Sequence, residues 1–362
     1  MNNRISVITI FIVSLFTVIS LCTGCDSSEK DLELTVPKEA AEKAGNVIGT
    51  EYENLTLPDS IHIEPVGELY IIRSDYSKNC DKSVQADSLA KLMVPGWKYI
   101  SSEEQDPGSI TKQYENGEKE ASVWYHDDST FVFGRTEHSN SETLDISCRK
   151  YVVGRDDLSE SYVLNGEQYS LDEAVKYAEK FVMEKLMPFL PNDSEVKAEA
   201  VSVWAMENGN YWFNVLLKHY MLGCPVSTVG SAVMGEPYMR PEELIITFDG
   251  KEDICHIRNN YYSAIVEKTK VEKIITLDSA LRHLEKILAP GSNYNVCNIS
   301  LEYCARFEDI NATEFEYRPM WTLTVMEGTS NTVNVYPREV IYVDAINGDV
   351  CCFSEMESKM IF

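Results

Sequence analysis

Tyr169-Ser170-Leu171-Asp172-Glu173-Ala174 is echoed 106 residues later by Ile275-Thr276-Leu277-Asp278-Ser279-Ala280. Each stretch puts a Ser or Thr hydroxyl where it can accept from the first free N–H groups of a helix. Each then puts carboxylates in the turn where the helix dipole is positive. Apolar residues recur afterwards at helical spacing: Ala174, Ala178, Phe181 and Val182 in the first, and Ala280, Leu281, Leu284, Ile287 and Leu288 in the second. Pro188 and Pro290 mark the expected ends of these helices.

Strand-like runs follow. The first unit has Val201–Ala205, Tyr211–Lys218 and Glu243–Phe248; the second has Val296–Tyr303, Met320–Met326 and Val340–Val343. Both units close as strand, tight turn, strand. Leu244-Ile245-Ile246-Thr247-Phe248-Asp249-Gly250 leads to Asp253-Ile254-Cys255, and Val340-Ile341-Tyr342-Val343-Asp344-Ala345 leads through Asn347-Gly348-Asp349 to Val350-Cys351. Asn-Gly is a strong hairpin signal. Matching ends in the same order point to a duplication, with units at 166–268 and 269–362. The expected fold class is α+β, a helix packed on an antiparallel sheet in each unit.

Upstream, 51–165 reads as a β-rich domain with one helical pattern, Ser83 to Met93, closed by Pro95-Gly96. Trp97–Ser101, Ile110–Tyr114, Ala121–Tyr125, Thr130–Gly134 and Tyr151–Val153 have strand character. Residues 25–50 are polar with scattered Ala and Val, and read as a tether with one short helix at Pro37–Ala44.

The first residues set the expected location. Arg4 precedes an apolar run from Ile5 to Leu21, and Leu21-Cys22-Thr23-Gly24-Cys25 follows. That order is a secretory signal, and the site resembles a bacterial lipobox. Cys22 stands where the family usually has Leu, with Leu21 one step further back. The resemblance implies a signal peptide over 1–24 and a lipid on Cys25. It implies a protein held on the extracytoplasmic face of the cell membrane. Each buried CH₂ of an acyl chain strengthens such attachment by about 0.8 kcal/mol.

The chain has 362 residues and a formal charge of −26; removing 1–24 takes away Arg4 and no acid, leaving −27. Such a balance argues against nucleic acid as a partner. Beyond Cys22 and Cys25 eight cysteines remain, an even number that permits a disulfide framework in an exported chain. Cys297 and Cys304, in one hairpin region, are the favoured pair. Cys351 and Cys352, adjacent on a strand, face opposite sides. Buried free thiols are the open alternative for several of them.

The helix start Leu277-Asp278-Ser279-Ala280, Pro319-Met320-Trp321 and the closing run from Tyr342 to Val350 resemble tandem PepSY-like domains. They also resemble the related extracytoplasmic domains of Yyc-type regulatory proteins. The first unit departs, with Phe248-Asp249-Gly250 at its close and no Pro-x-Trp. The whole chain looks like uncharacterised clostridial-type lipoproteins. The resemblance implies a helix on an antiparallel sheet in each unit, and binding or inhibition more than catalysis. The residues themselves read structurally: Trp321 as a ring between helix and sheet, Asp344 as an acceptor for turn amides, Gly348 as a positive-φ position.

No catalytic constellation, metal-ligand spacing or cofactor motif appears. His62, His126, His138, His219, His256 and His283 form no H-x-H or H-E-x-x-H, and 230–235 lacks the G-x-S-x-G elbow. Residues 249–253 lack the ligand spacing of an EF-hand. A long loop from Gly223 carries Tyr238, Met239 and Arg240, residue types enriched at interfaces, and these three are the candidate partner-binding residues. The expectation is a surface-anchored, non-enzymatic lipoprotein that binds or regulates another envelope protein. An envelope hydrolase and a ligand-binding lipoprotein of a transport system are the alternatives.

Overall fold

The computed structural model describes residues 32–75, 81–104, 108–127, 129–135, 148–190, 194–205, 209–228, 238–240, 242–260, 265–288, 294–308, 312–326 and 339–354. The signal peptide, Cys25 and Cys80 lie outside them. Among the described residues strand accounts for 52% and helix for 21%, and large antiparallel sheets dominate. This overturns the α+β expectation of helix-on-sheet repeats: the protein is a mostly-β fold on which the helices are minor elements.

The physical cause lies in one row of side chains. Val123, Phe133, Ile257, Ile246, Val215 and Val201 stand side by side on six consecutive strands, and each is 0% exposed. The row crosses from strands of 51–165 to strands of 166–268, because Phe131–Arg135 pairs antiparallel with Asp253–Asn259. Two meanders that would each leave an open edge thereby merge into one ten-stranded sheet. Its order runs from Lys98–Glu103 through Ser109–Asn116, Lys119–His126 and Phe131–Arg135 to Asp253–Asn259. It continues with Leu244–Gly250, Tyr211–Met221, Ser194–Ala205 and Cys148–Val152. Helices Lys82–Met93 and Leu171–Phe181 cover the apolar face with Leu89, Ala174 and Ala178.

The second sheet has eight strands. Its central strand Glu314–Met326 pairs along one side with Tyr294–Phe307. On the other side it is shared by Leu69–Asp75 and Glu339–Asp344. A strand from 51–165 is thus inserted here too. Helix Leu277–Ile287 packs on this sheet's apolar face through Leu281 and Leu284.

Both helix starts form where the local signals place them. Ser170 Oγ accepts from Glu173 N–H at 3.1 Å, and Glu173 Oε2 accepts from Ser170 N–H at 3.0 Å, a reciprocal capping box. Thr276 Oγ1 accepts from Ser279 N–H at 3.3 Å. The tether reading gives way from Leu34 onward. Leu34–Thr35 pairs with Ile274–Ile275, and Ala40, Ala41, Ala44 and Val47 are buried in the second core.

Candidate functional site

Between Tyr211–Met221 and Leu244–Gly250 the chain leaves the ten-stranded sheet and stitches it to the other. Ser227 N–H donates to Tyr303 O at 2.7 Å. Tyr238–Arg240 then pairs antiparallel with Phe307, Arg306 and Ala305. The three candidate contact residues therefore form a strand on the edge of the eight-stranded sheet, paired through the backbone with Tyr294–Phe307. Flanking prolines at 237 and 241 concealed this, because they read as loop.

Glu242 closes the excursion. Its N–H donates to Ser227 O at 3.0 Å, and its carboxylate accepts from the Tyr317 hydroxyl and lies 2.7 Å from His219 Nδ1. All three side chains are buried, and they join the two sheets. Beside them Lys218 Nζ sits 2.9 Å from Glu302 and 3.5 Å from Glu199. Burial alone would lower the Lys218 pKa; the two carboxylates outweigh it and hold the amine well above its ordinary value. Lys218 is thus a fixed cation and no base at neutral pH. Burial pushes the Cys224, Cys255 and Cys304 thiols up, so these stay protonated and poorly nucleophilic.

Trp321 is fully buried, and its indole N–H donates to Ile275 O at 3.0 Å, just before helix Leu277–Ile287. Asp344 Oδ1 accepts from Ile346 N–H at 2.8 Å, and Oδ2 accepts from Arg318 Nε at 2.7 Å. Gly348 has φ +82°, and a Cβ there would meet Leu32 Cδ1 at 3.2 Å. These contacts organise the closing hairpin around the second core. The favoured disulfide is overturned: Cys297 and Cys304 are free and lie on one strand, Tyr294–Phe307. Seven residues of extended chain separate them by about 20 Å, far beyond the reach of an S–S bond.

Two of the outermost strands are exposed along nearly their whole length. In Ile265–Val271 the first six residues are exposed. That edge is guarded by Lys270, paired with Glu68 at 2.6 Å, and by Lys268, 5.3 Å from the Tyr70 ring centroid. In Lys98–Glu103 every residue is exposed. Tyr99 and Ile100 remain 50% and 45% accessible, and among the described residues the strand pairs only with Ser109–Asn116. A register shift between Tyr99 and Ser101 bends it at Ile100. Sequence alone could read this strand but not its place at an edge.

A cleft of about 370 Å³ lies beside helix Leu277–Ile287, lined by Lys43, Thr50, Asp278 and Arg282 among others. Two of its cations are already paired: Arg282 bonds Asp278 at 2.9 Å, and Lys43 bonds Glu39. Among the described residues no group of three or more His, Cys, Asp and Glu side chains could hold a metal ion.

No protein-family model matches the chain, and no curated protein matches it. The crystal structure of an uncharacterized protein from Eubacterium rectale is similar, with a TM-score of 0.51 and 16% sequence identity over 83% of this chain and 91% of that one. At that identity the likeness is one of fold, and it extends over most of both chains.

Proposed function

We propose that this protein is a non-enzymatic lipoprotein, held by Cys25 on the extracytoplasmic face of the cell membrane, that binds and regulates another envelope protein. The anchor rests on the sequence Leu21-Cys22-Thr23-Gly24-Cys25 and the apolar run before it. The observation that carries the binding reading is the exposed strand Lys98–Glu103 at the end of the ten-stranded sheet. A row of open N–H and C=O groups is the chemistry that recognises another extended chain, and alternate side chains supply specificity. Tyr99 stands edge-on to Tyr114 with ring centroids 5.9 Å apart, so its ring is held in place beside that edge. The exposed strand Ile265–Val271 carries Lys268 and Lys270 along its length, whereas in Lys98–Glu103 the charged residues stand at the two ends, with Ser101 and Ser102 between.

The test is a photo-crosslinking amino acid at position 99 or, for comparison, at 266, in cells that display the lipidated protein. Mass spectrometry should find one envelope protein enriched at 99 and missing at 266. Equal background at both positions, with the lipid verified on Cys25, would refute the reading.

A further inference from the structure

Strand alternation gives the ten-stranded sheet a second row, one residue out of step with the apolar one. Ser122, Gly134, His256, Thr247, Asn214 and Ser202 stand side by side across six strands, on the face turned away from the two helices. Five strand spacings make the row about 24 Å long. None of the six carries a carboxylate or an ammonium, in a chain of net charge −26; Lys150, paired with Ser202 on the outermost strand Cys148–Val152, closes that end. Its floor is low, because Gly134 has no side chain; a Cβ there would meet His256 Cδ2 at 3.4 Å. Thr247 Oγ1 donates to the Asn214 amide oxygen at 2.9 Å, which turns the amide N–H groups away from Thr247.

Tryptophans flank both ends. Trp204 and Trp212 face each other across neighbouring strands beside Ser202 and Asn214, and Trp124 stands beside Ser122. All three are partly exposed. Two polar atoms at these ends want a partner. The Trp204 indole N–H is buried and makes no hydrogen bond, and neither does the hydroxyl of Thr111, which sits opposite Trp124 and is 8% exposed. Orphan polar groups of this kind call for a water or a ligand.

We infer that this row is a binding groove for an uncharged glycan chain laid across the strands. Hydroxyl, amide and imidazole groups match sugar hydroxyls, and indole faces match the C–H faces of sugar rings. An apolar peptide would leave that polar floor unpaired, and a charged polymer would find no counter-charge among these six positions, Lys150 standing only beyond the Ser202 end. The groove is independent of the Lys98–Glu103 edge, so it stands whether or not that edge has a partner.

The experiment uses the mature full-length chain with chitopentaose and cellopentaose as probes, read by tryptophan fluorescence and calorimetry. At least one probe should bind. Trp204→Ala should weaken it at least about tenfold, the scale of losing one stacked ring. Gly134→Ala, which raises the floor by a methyl group, should weaken it without lowering the urea midpoint; it decides the matter if Trp204→Ala fails to fold. No signal with either probe at millimolar concentration overturns the groove. So does binding that survives Gly134→Ala and the Trp204→Ala/Trp212→Ala pair, and so does selective capture of an apolar peptide in place of both sugars.

Discussion

Replacing Lys218 with Met should destabilise the protein by about 3–5 kcal/mol, and adding Glu302→Leu to the same chain should restore most of that loss. The Lys218 side chain is 13% exposed and its partner Glu302 4%, with 2.9 Å between the charged atoms. At an effective dielectric near 20, that separation gives an attraction of about 6 kcal/mol. Desolvation takes back several kcal/mol for each ion, so the intact pair contributes little net stability. Removing one partner changes the sign: Glu302 is left buried with a charge that nothing nearby cancels. Glu199, 33% exposed and 3.5 Å from the amine, can turn to solvent and softens the loss only at the margin. The assay is urea unfolding of the two single variants and the double variant, closed as a cycle. Coupling of at least about 2 kcal/mol is expected. A Lys218→Met cost under about 1 kcal/mol, or a double variant equal to the sum of the singles, would refute the argument. The pH dependence gives a second reading. The folded-state Lys218 pKa lies above the unfolded one, so its contribution is complete at neutral pH and is lost as pH rises into the strongly alkaline range.

Gly348→Ala should cost about 1–2 kcal/mol, since an L side chain at φ +82° is strained and its Cβ would press on Leu32; Gly45→Ala, with open space around it, should be neutral or mildly stabilising in the same denaturation series. Position-resolved alkylation of the native protein should label exposed Cys297 first and leave Cys224, Cys255 and Cys304 unlabelled until urea unfolds it; a recovered Cys297–Cys304 disulfide would contradict the strand geometry. Burial, then repulsion from Lys286, depresses the His283 pKa, so the unfolded chain binds this proton more readily. Stability should therefore fall as pH drops through about 6.5, and His283→Gln should flatten that part of the pH–stability curve.

Much of the local structure was legible. Ser170 with Glu173, and Thr276 three residues before Ser279, announce helix starts because the capping partners lie within one turn. Asp344 and Gly348 announce the closing turn for the same reason, since the acceptor and the amides it satisfies are neighbours in sequence. The strand formed by the candidate contact residues was not legible. Tyr238, Met239 and Arg240 have the chemistry of an interface, yet their backbone pairs with Ala305 to Phe307, far along the chain. Nor could Lys98–Glu103 be read as an edge, because an edge is defined by the strands that do not join it.

The sequence by itself determined where helices begin, which residues alternate along each strand, and where the closing hairpin turns, all through interactions spanning a few residues. It could not choose the sheets. Backbone N–H and C=O groups are the same at every position, so any strand can pair with any other, and only the facing apolar row selects among partners. That row joins Phe133 to Ile257 and makes one sheet of two segments. Leu69–Asp75 is likewise drawn to Glu314–Met326 by a core assembled from distant parts of the chain. The mostly-β class, the buried seam at Glu242 and Lys218, and the neutral row beneath the tryptophans all follow from those long-range pairings, which exist only once the tertiary structure has formed.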